Sequence, residues 1–251
     1  MYQNPTLFDS AVATSGHTFS KVAYSEHLLY CLAEAEQKFP SPLPIDFFSS
    51  LNDKKSFYLV VNEKDSFPDA LDVVFDLNAY LKMDAVAEER KFSFDMAAFQ
   101  KELVQAIRLG DDAIEVRLCD INRWVNEMKK SSSAPEEKKK TRKLWLKLKS
   151  RLIHDRQLIL HLLNEENVLK ALGFSSDSPY AISFSEELHR QFLIATYQGT
   201  VTLAQERGTF PEFRSINELK NPVSLLLQQM APALYDKMVL YGRRNNLKLN
   251  F

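Results

Sequence analysis

The stretch FDMAAFQKELVQAIRLGDDAIEVRLCDINRWVNEM, residues 94–128, decides the fold. Phe99, Leu103, Ala106, Ile107, Gly110, Ile114, Ile121, Val125 and Met128 recur at steps of three, four or seven. That spacing is one continuous helical stripe. Ser93 or Asp95 stands where a side chain caps the first free amides. Gly110 within the stripe costs about 1 kcal/mol against alanine, and a close neighbouring helix would explain it. Asp111 and Asp112 follow. Adjacent helical residues point about 100° apart, so the pair cannot act as a carboxylate dyad on one face. The pair reads as solvated, with one member free to contact a partner helix.

Working outward, Ser131-Ser132-Ser133-Ala134-Pro135 breaks the helix and Glu136 restarts one, with Pro135 near the tolerated first-turn position. Leu144, Trp145, Leu148, Leu152, Ile159, Leu162 and Leu163 supply the apolar side of this second helix. A short polar loop between two long helices predicts an antiparallel hairpin. Upstream, Ser20 to Lys38 reads as a helix ended by Phe39-Pro40, and Pro40, Pro42 and Pro44 form a stiff connection. Phe57-Tyr58-Leu59-Val60-Val61 and Val73-Val74-Phe75 are the two strand-like runs. Downstream, Gly173 closes a turn. Ser183-Phe184-Ser185-Glu186 matches a capping box, and its helix stops at Gly208. Asn221-Pro222 and Pro232 start two more helices, the last ending at Tyr241-Gly242.

Composition agrees with a helical protein. Only 6 of 251 residues are glycine, well below the usual ~7%, which argues against many tight turns or phosphate-cradling loops. The expected class is therefore mainly α: a bundle-like helical array with a small β element near residues 56–75. Residues 1–18 read as a flexible tail and 19–251 as one helical domain.

Charge and motifs exclude several functions. The chain carries 32 Lys and Arg against 33 Asp and Glu, without the basic excess of a nucleic-acid binder. Its one dense run, Lys138-Lys139-Lys140 with Arg142 and Lys143, reads as a solvated helix start. Cys31 and Cys119 are the only cysteines, and both read as small buried hydrophobes of a reduced, cytoplasmic protein. No signal peptide and no apolar run of ~20 residues occurs. G-x-S-x-G, G-x-x-x-x-G-K-[ST] and G-x-G-x-x-G are absent. His154 and His161, seven apart on one expected helix face, are too far apart for the three-or-four spacing of helical metal ligands. Asp155 and Glu165 lie near them in sequence. Glu186-Glu187-Leu188-His189 gives a Glu-x-x-His spacing only once, where a di-iron bundle uses two. Arg243-Arg244 reads as a basic helix end answering the helix dipole rather than an anion site. No catalytic, cofactor-binding or metal residue is assigned.

Several segments resemble the catalytic subunit of ribonucleotide reductase, most closely its adenosylcobalamin-dependent class II form. Phe94-Asp95-Met96 through Gly110-Asp111-Asp112-Ala113-Ile114-Glu115-Val116 is similar to the family's F-D-x-x-x-F…DD-x-I-D-x helix. Leu77-Asn78-Ala79-Tyr80-Leu81 resembles the N-L-x-x-Y-V stretch before it, and Lys143-Leu144-Trp145 an N-L-W of some members. Leu203 to Pro211 is similar to L-A-x-E-R-G-x-F-P. Ala233 to Val239 with Tyr241-Gly242-Arg243-Arg244-Asn245 is similar to L-Y-x-x-M…Y-G-R-R-N. The resemblance runs in order over residues 77–245 and implies the helical layer of the reductase barrel.

The departures from that family are chemical. Its reaction needs a thiyl radical on a finger-loop cysteine and a redox cysteine pair. Cys31 lies outside the resembling region and Cys119 inside a helix. No Asn-x-Cys-x-Glu precedes Leu77. Where the family has a G-L-G-[IV] strand after the position of Lys149, residues 156–162 read as helix. The family's strand and A-P-T-G-T loop after the position of Asn245 are not read here. The resulting expectation is a reductase-like protein without its own catalysis or cofactor. It would act as an interaction scaffold for a protein partner, such as a full-length reductase, with no nucleic acid and no membrane. The alternatives are one fragment of a split reductase completed in trans by a complementary fragment, or an unrelated helical adaptor or small-molecule-binding bundle.

Overall fold

The computed structural model describes residues 23–40, 42–60, 70–84, 91–130 and 134–250. The expected tail at 1–18 lies outside them. Helix α1 (Glu26–Glu36) and the single turn α2 (Ile45–Ser49) lead into strands β1 (Phe57–Val60) and β2 (Ala70–Asp76). A 3₁₀ turn, Leu77–Tyr80, joins β2 to the hairpin of β3 (Leu81–Asp84) and β4 (Lys91–Phe94). The long helices α3 (Met96–Lys130) and α4 (Pro135–Asp155) come next, followed by β5 (Gln157–Leu163) and α5 (Glu165–Ala171). Then come α6 (Pro179–Arg207), α7 (Ser215–Glu218), α8 (Pro222–Met230), α9 (Pro232–Tyr241) and β6 (Asn246–Asn250).

The protein is mostly helical, and its helices are organised by a sheet. That sheet has the order β1-β2-β5-β6. β1 is antiparallel to β2, while β2, β5 and β6 are parallel. Each parallel neighbour is reached by a helical crossover, as parallel pairing requires. Residues 157–163 are a strand, not the continuation of α4. Ile159, Leu162 and Leu163 extend the helical spacing of Leu148 and Leu152, which hides the break. The break is Arg156, in left-handed backbone at φ 44°. QLILHLL is apolar on both faces, as a buried parallel strand is: Leu158, Leu160, His161, Leu162 and Leu163 are all buried. Strand β6, also unread in the sequence, is short and polar on alternate positions.

Helices α3 and α6 pack on one face of the sheet and on each other. Phe75 of β2 meets Phe99 of α3 edge-on at 6.3 Å and Phe192 of α6 at 6.2 Å. Two glycines set the spacing. A Cβ on Gly110 would lie 3.0 Å from Leu158 Cδ2, so the stripe glycine makes room for a strand rather than the helix expected. A Cβ on Gly199 would lie 3.2 Å from Ile107 Cβ, which lets α6 sit against α3.

Helix ends follow local chemistry. Asp95 caps α3, accepting from the Ala98 amide at 3.1 Å. Ser178, followed by Pro179, caps α6 by accepting from the Ala181 amide at 3.1 Å. That start lies upstream of the capping box expected at Ser183, because Ser before Pro supplies both cap and first turn. Asn221 caps α8 as read. The α3–α4 hairpin is antiparallel as expected, with Trp124 and Trp145 at 4.7 Å and the Lys149 ammonium donating to Asn122 at 2.7 Å.

Replacing Gly199 with leucine should lower stability by about 1–3 kcal/mol, because Ile107 Cβ is fixed to the α3 backbone and cannot yield. Urea unfolding measures this, and unchanged or increased stability would refute the close packing.

Candidate functional site

The residues that carry the resemblance in α3, α6 and the segment after α9 meet in one buried cluster. Its centre is Arg207, in the last turn of α6, with a side chain fully buried. Its guanidinium donates to Glu36 of α1 at 2.5 Å and to Asp111 and Asp112 of α3 at 2.8 Å each. The Phe39 ring lies 4.0 Å from its central carbon. Asp111 is the most connected carboxylate. It accepts from Arg156 at 2.6 Å, Arg244 at 3.2 Å and the Asn245 side-chain amide at 2.9 Å. Arg156 and Arg244 also reach Glu115, at 2.9 and 3.1 Å. Arg108 donates to Glu36 and forms an ion pair with Glu206 at 2.7 Å.

Local structure explains how each group arrives. Asp111 lies four residues after Ile107 and three before Ile114, on the apolar stripe itself, so the helix buries it. The left-handed turn at Arg156 aims that side chain back at α3 while starting β5. The Arg244 amide donates to Thr200 O at 3.1 Å and the Asn245 amide to Thr200 Oγ1 at 2.9 Å, which pins the start of β6 to α6.

Electrostatics divides the carboxyls. Burial would raise Asp111, but Arg156, Arg244 and Arg207 outweigh it and hold its pKa below the usual carboxylate range. Asp112 goes the other way: burial, together with its hydrogen bond to Glu36, pushes it up to about 9. Burial also opposes ionisation of Glu36, but the Asp112 hydrogen bond, Arg108 and Arg207 draw its pKa down. At neutral pH Asp112 therefore keeps its proton and donates it to Glu36. Four cations (Arg108, Arg156, Arg207, Arg244) then face four anions (Glu36, Asp111, Glu115, Glu206), and the cluster is neutral.

Neither Asp111 nor Asp112 is solvated, contrary to the sequence reading. Arg243 and Arg244 do not answer a helix dipole. Arg243 is buried, donates to Glu218 at 2.6 Å and lies 5.5 Å from the Tyr197 ring, while Ser224 donates to the same Glu218. Every guanidinium in these clusters already meets a carboxylate, so an incoming anion would have to displace one.

The histidines separate. His154 is exposed at the end of α4, its Nδ1 2.6 Å from Ser150 O. His161 sits on β5, on the sheet face opposite α3. Its Nε2 lies 2.7 Å from Asp72, and the Asn250 amide donates to its Nδ1 at 3.2 Å. They share no helix face, because a strand begins between them. His189 of α6 pairs with Glu165 of α5 at 2.8 Å, so Glu186 and Glu187 do not complete a metal set with it. Among the described residues no group of three His, Cys, Asp or Glu is placed to hold a metal ion.

Cys31 is half-buried and Cys119 exposed, in a shallow cavity of about 250 Å³ between α1 and α3. They are not the buried hydrophobes expected, because α3 turns that flank of its stripe to solvent. At the carboxyl ends of β2 and β5, where parallel sheets place their ligands, Asn164 donates to Asp76 at 2.8 Å. Phe48 and Phe57 are core residues. No helix among the described residues is long and apolar enough to cross a membrane.

Glu36, Arg108 and Arg156 were not singled out in the sequence. The available signal was a charged pair on an apolar stripe, which calls for buried countercharges. No protein-family model matches the chain, and no curated protein matches it.

Asp111→Asn should cost about 3–5 kcal/mol at neutral pH by removing the buried carboxylate that Arg156, Arg207 and Arg244 share, which leaves a net positive charge in the interior. Asp112→Asn, which imitates the protonated carboxyl without having to take up a proton on folding, should be as stable as the native protein or more stable at pH 7. The raised Asp112 pKa makes the native protein lose stability as pH climbs from the ordinary carboxylate range towards about 9. The asparagine variant should therefore gain on the native protein over that interval. Equal losses for the two variants at pH 7 would contradict this assignment.

Proposed function

We propose that this is a ribonucleotide-reductase-like protein without its own catalysis, serving as an interaction scaffold. One observation carries the reading. Arg108, Asp111, Asp112, Glu206, Arg207, Arg244 and Asn245, all from reductase-like segments, are spent on one another and on their neighbours in a buried clamp. Groups held in this way build layers and do not turn over substrate. Strands β5 and β6 add support, since they stand where the family has strands.

Adenosylcobalamin, the cofactor the resemblance implies, works through a cysteine thiyl radical. The residues here do not fit it. Both cysteines are on α1 and α3, and the strand ends carry Asp76 and Asn164.

A second reading, a fragment of a split reductase, is favoured by one feature. Among the described residues β6 pairs only with β5, leaving backbone groups that a strand supplied in trans could use. In that case the partner contributes the cysteines.

Two assays test the scaffold reading. The purified chain with adenosylcobalamin, a dithiol and ribonucleotides should form no deoxyribonucleotide. Mixed with the full-length reductase of its own host, it should co-sediment as a complex. Turnover abolished by Cys31→Ser or Cys119→Ser would overturn the absence of catalysis, and independent sedimentation would remove the reductase as partner.

A further inference from the structure

The tip of the α3–α4 hairpin carries a feature the clamp does not explain. Val125, Met128 and Leu146 floor a groove of about 480 Å³ between the two helices, and Lys139, Arg142 and Lys143 stand among the cations along it. Charge in this chain is segregated. Residues 129–151 hold ten Lys and Arg against two Glu, leaving 22 Lys and Arg against 31 Asp and Glu elsewhere. Helix α4 buries only Leu148 and Leu152, so the groove side of the hairpin is an open two-helix surface.

We propose that this groove docks an acidic amphipathic helix of a protein partner. The apolar floor takes leucine-like side chains at three-four spacing, the helix-in-groove mode. Lys139 and Lys143 are four residues apart, and carboxylates four apart on a partner helix have the same repeat. Single-stranded nucleic acid would call for exposed aromatic platforms, whereas this floor is aliphatic. A lipid surface would call for one outward apolar face. The exposed Leu144 and Leu146 are two residues apart, on opposite sides of α4. The inference stands on the groove alone and does not depend on the reductase-like reading.

The test is fluorescence anisotropy with a labelled amphipathic Glu/Leu helix peptide, titrated with the full chain at low and high salt. Saturable binding is expected, weakened by salt. A triple variant (Lys139→Glu, Arg142→Glu, Lys143→Glu) should lose at least ~tenfold in affinity, and Leu146→Asn about tenfold. Lys220→Glu, outside the groove, should bind normally. All these positions are exposed, and circular dichroism verifies that each variant is folded. Absence of binding overturns the proposal, as does equal binding of a composition-matched scrambled peptide. So would tighter, reversal-sensitive binding of a DNA duplex or of phosphatidylserine vesicles.

Discussion

Arg207 holds the molecule together by an interaction that only a complete set of partners makes tolerable. A guanidinium without water is costly unless carboxylates surround it, and a carboxylate without water is equally so. Here Glu36, Asp111 and Asp112 converge on one cation from two helices, and Arg156 and Arg244 converge on Asp111 from the starts of two strands. The fifth carboxyl that would unbalance the set keeps a proton. Removing any one full charge unbalances the set, so the cluster acts as a unit.

That constraint explains the arrangement of layers. β5 follows Arg156 and β6 follows Arg244-Asn245, so the two strand starts are tied to the same turn of α3. The other end of the core is apolar, built from Phe75, Phe99 and Phe192, and needs only volume and close approach. Gly110 and Gly199 supply the approach. The ionic end gives the layers their register, and the aromatic end gives them area removed from water.

Much of this was legible in the chain. The α3 stripe, the Asn221-Pro222 and Pro232 starts, the Gly208 and Gly242 stops and the α3–α4 hairpin are local signals that tertiary structure left intact. The sheet was half legible. β1 and β2 are β-branched and aromatic runs, whereas β5 continues the spacing of a helix without a glycine or proline to mark the change. Its boundary is a positive φ at an arginine, which residue type does not announce. The ionic cluster was missed for a related reason. Asp111-Asp112 was weighed as an isolated surface pair, although its place between Ile107 and Ile114 put it indoors, and the partners of Asp111 lie 45 to 134 residues away in sequence.

The molecule joins two regions of opposite character: an interior where carboxylates and guanidiniums face one another in balance, and a hairpin tip whose cations stand along an apolar groove. The first is architecture and the second is surface left for something else. The claim beneath both is that the interior charges balance through one retained proton. Carbon NMR of the Asp112 side-chain carboxyl across a pH titration observes it directly. The account predicts a carboxyl protonated through neutral pH and titrating near 9, whereas a carboxyl already ionised in the ordinary aspartate range would contradict it.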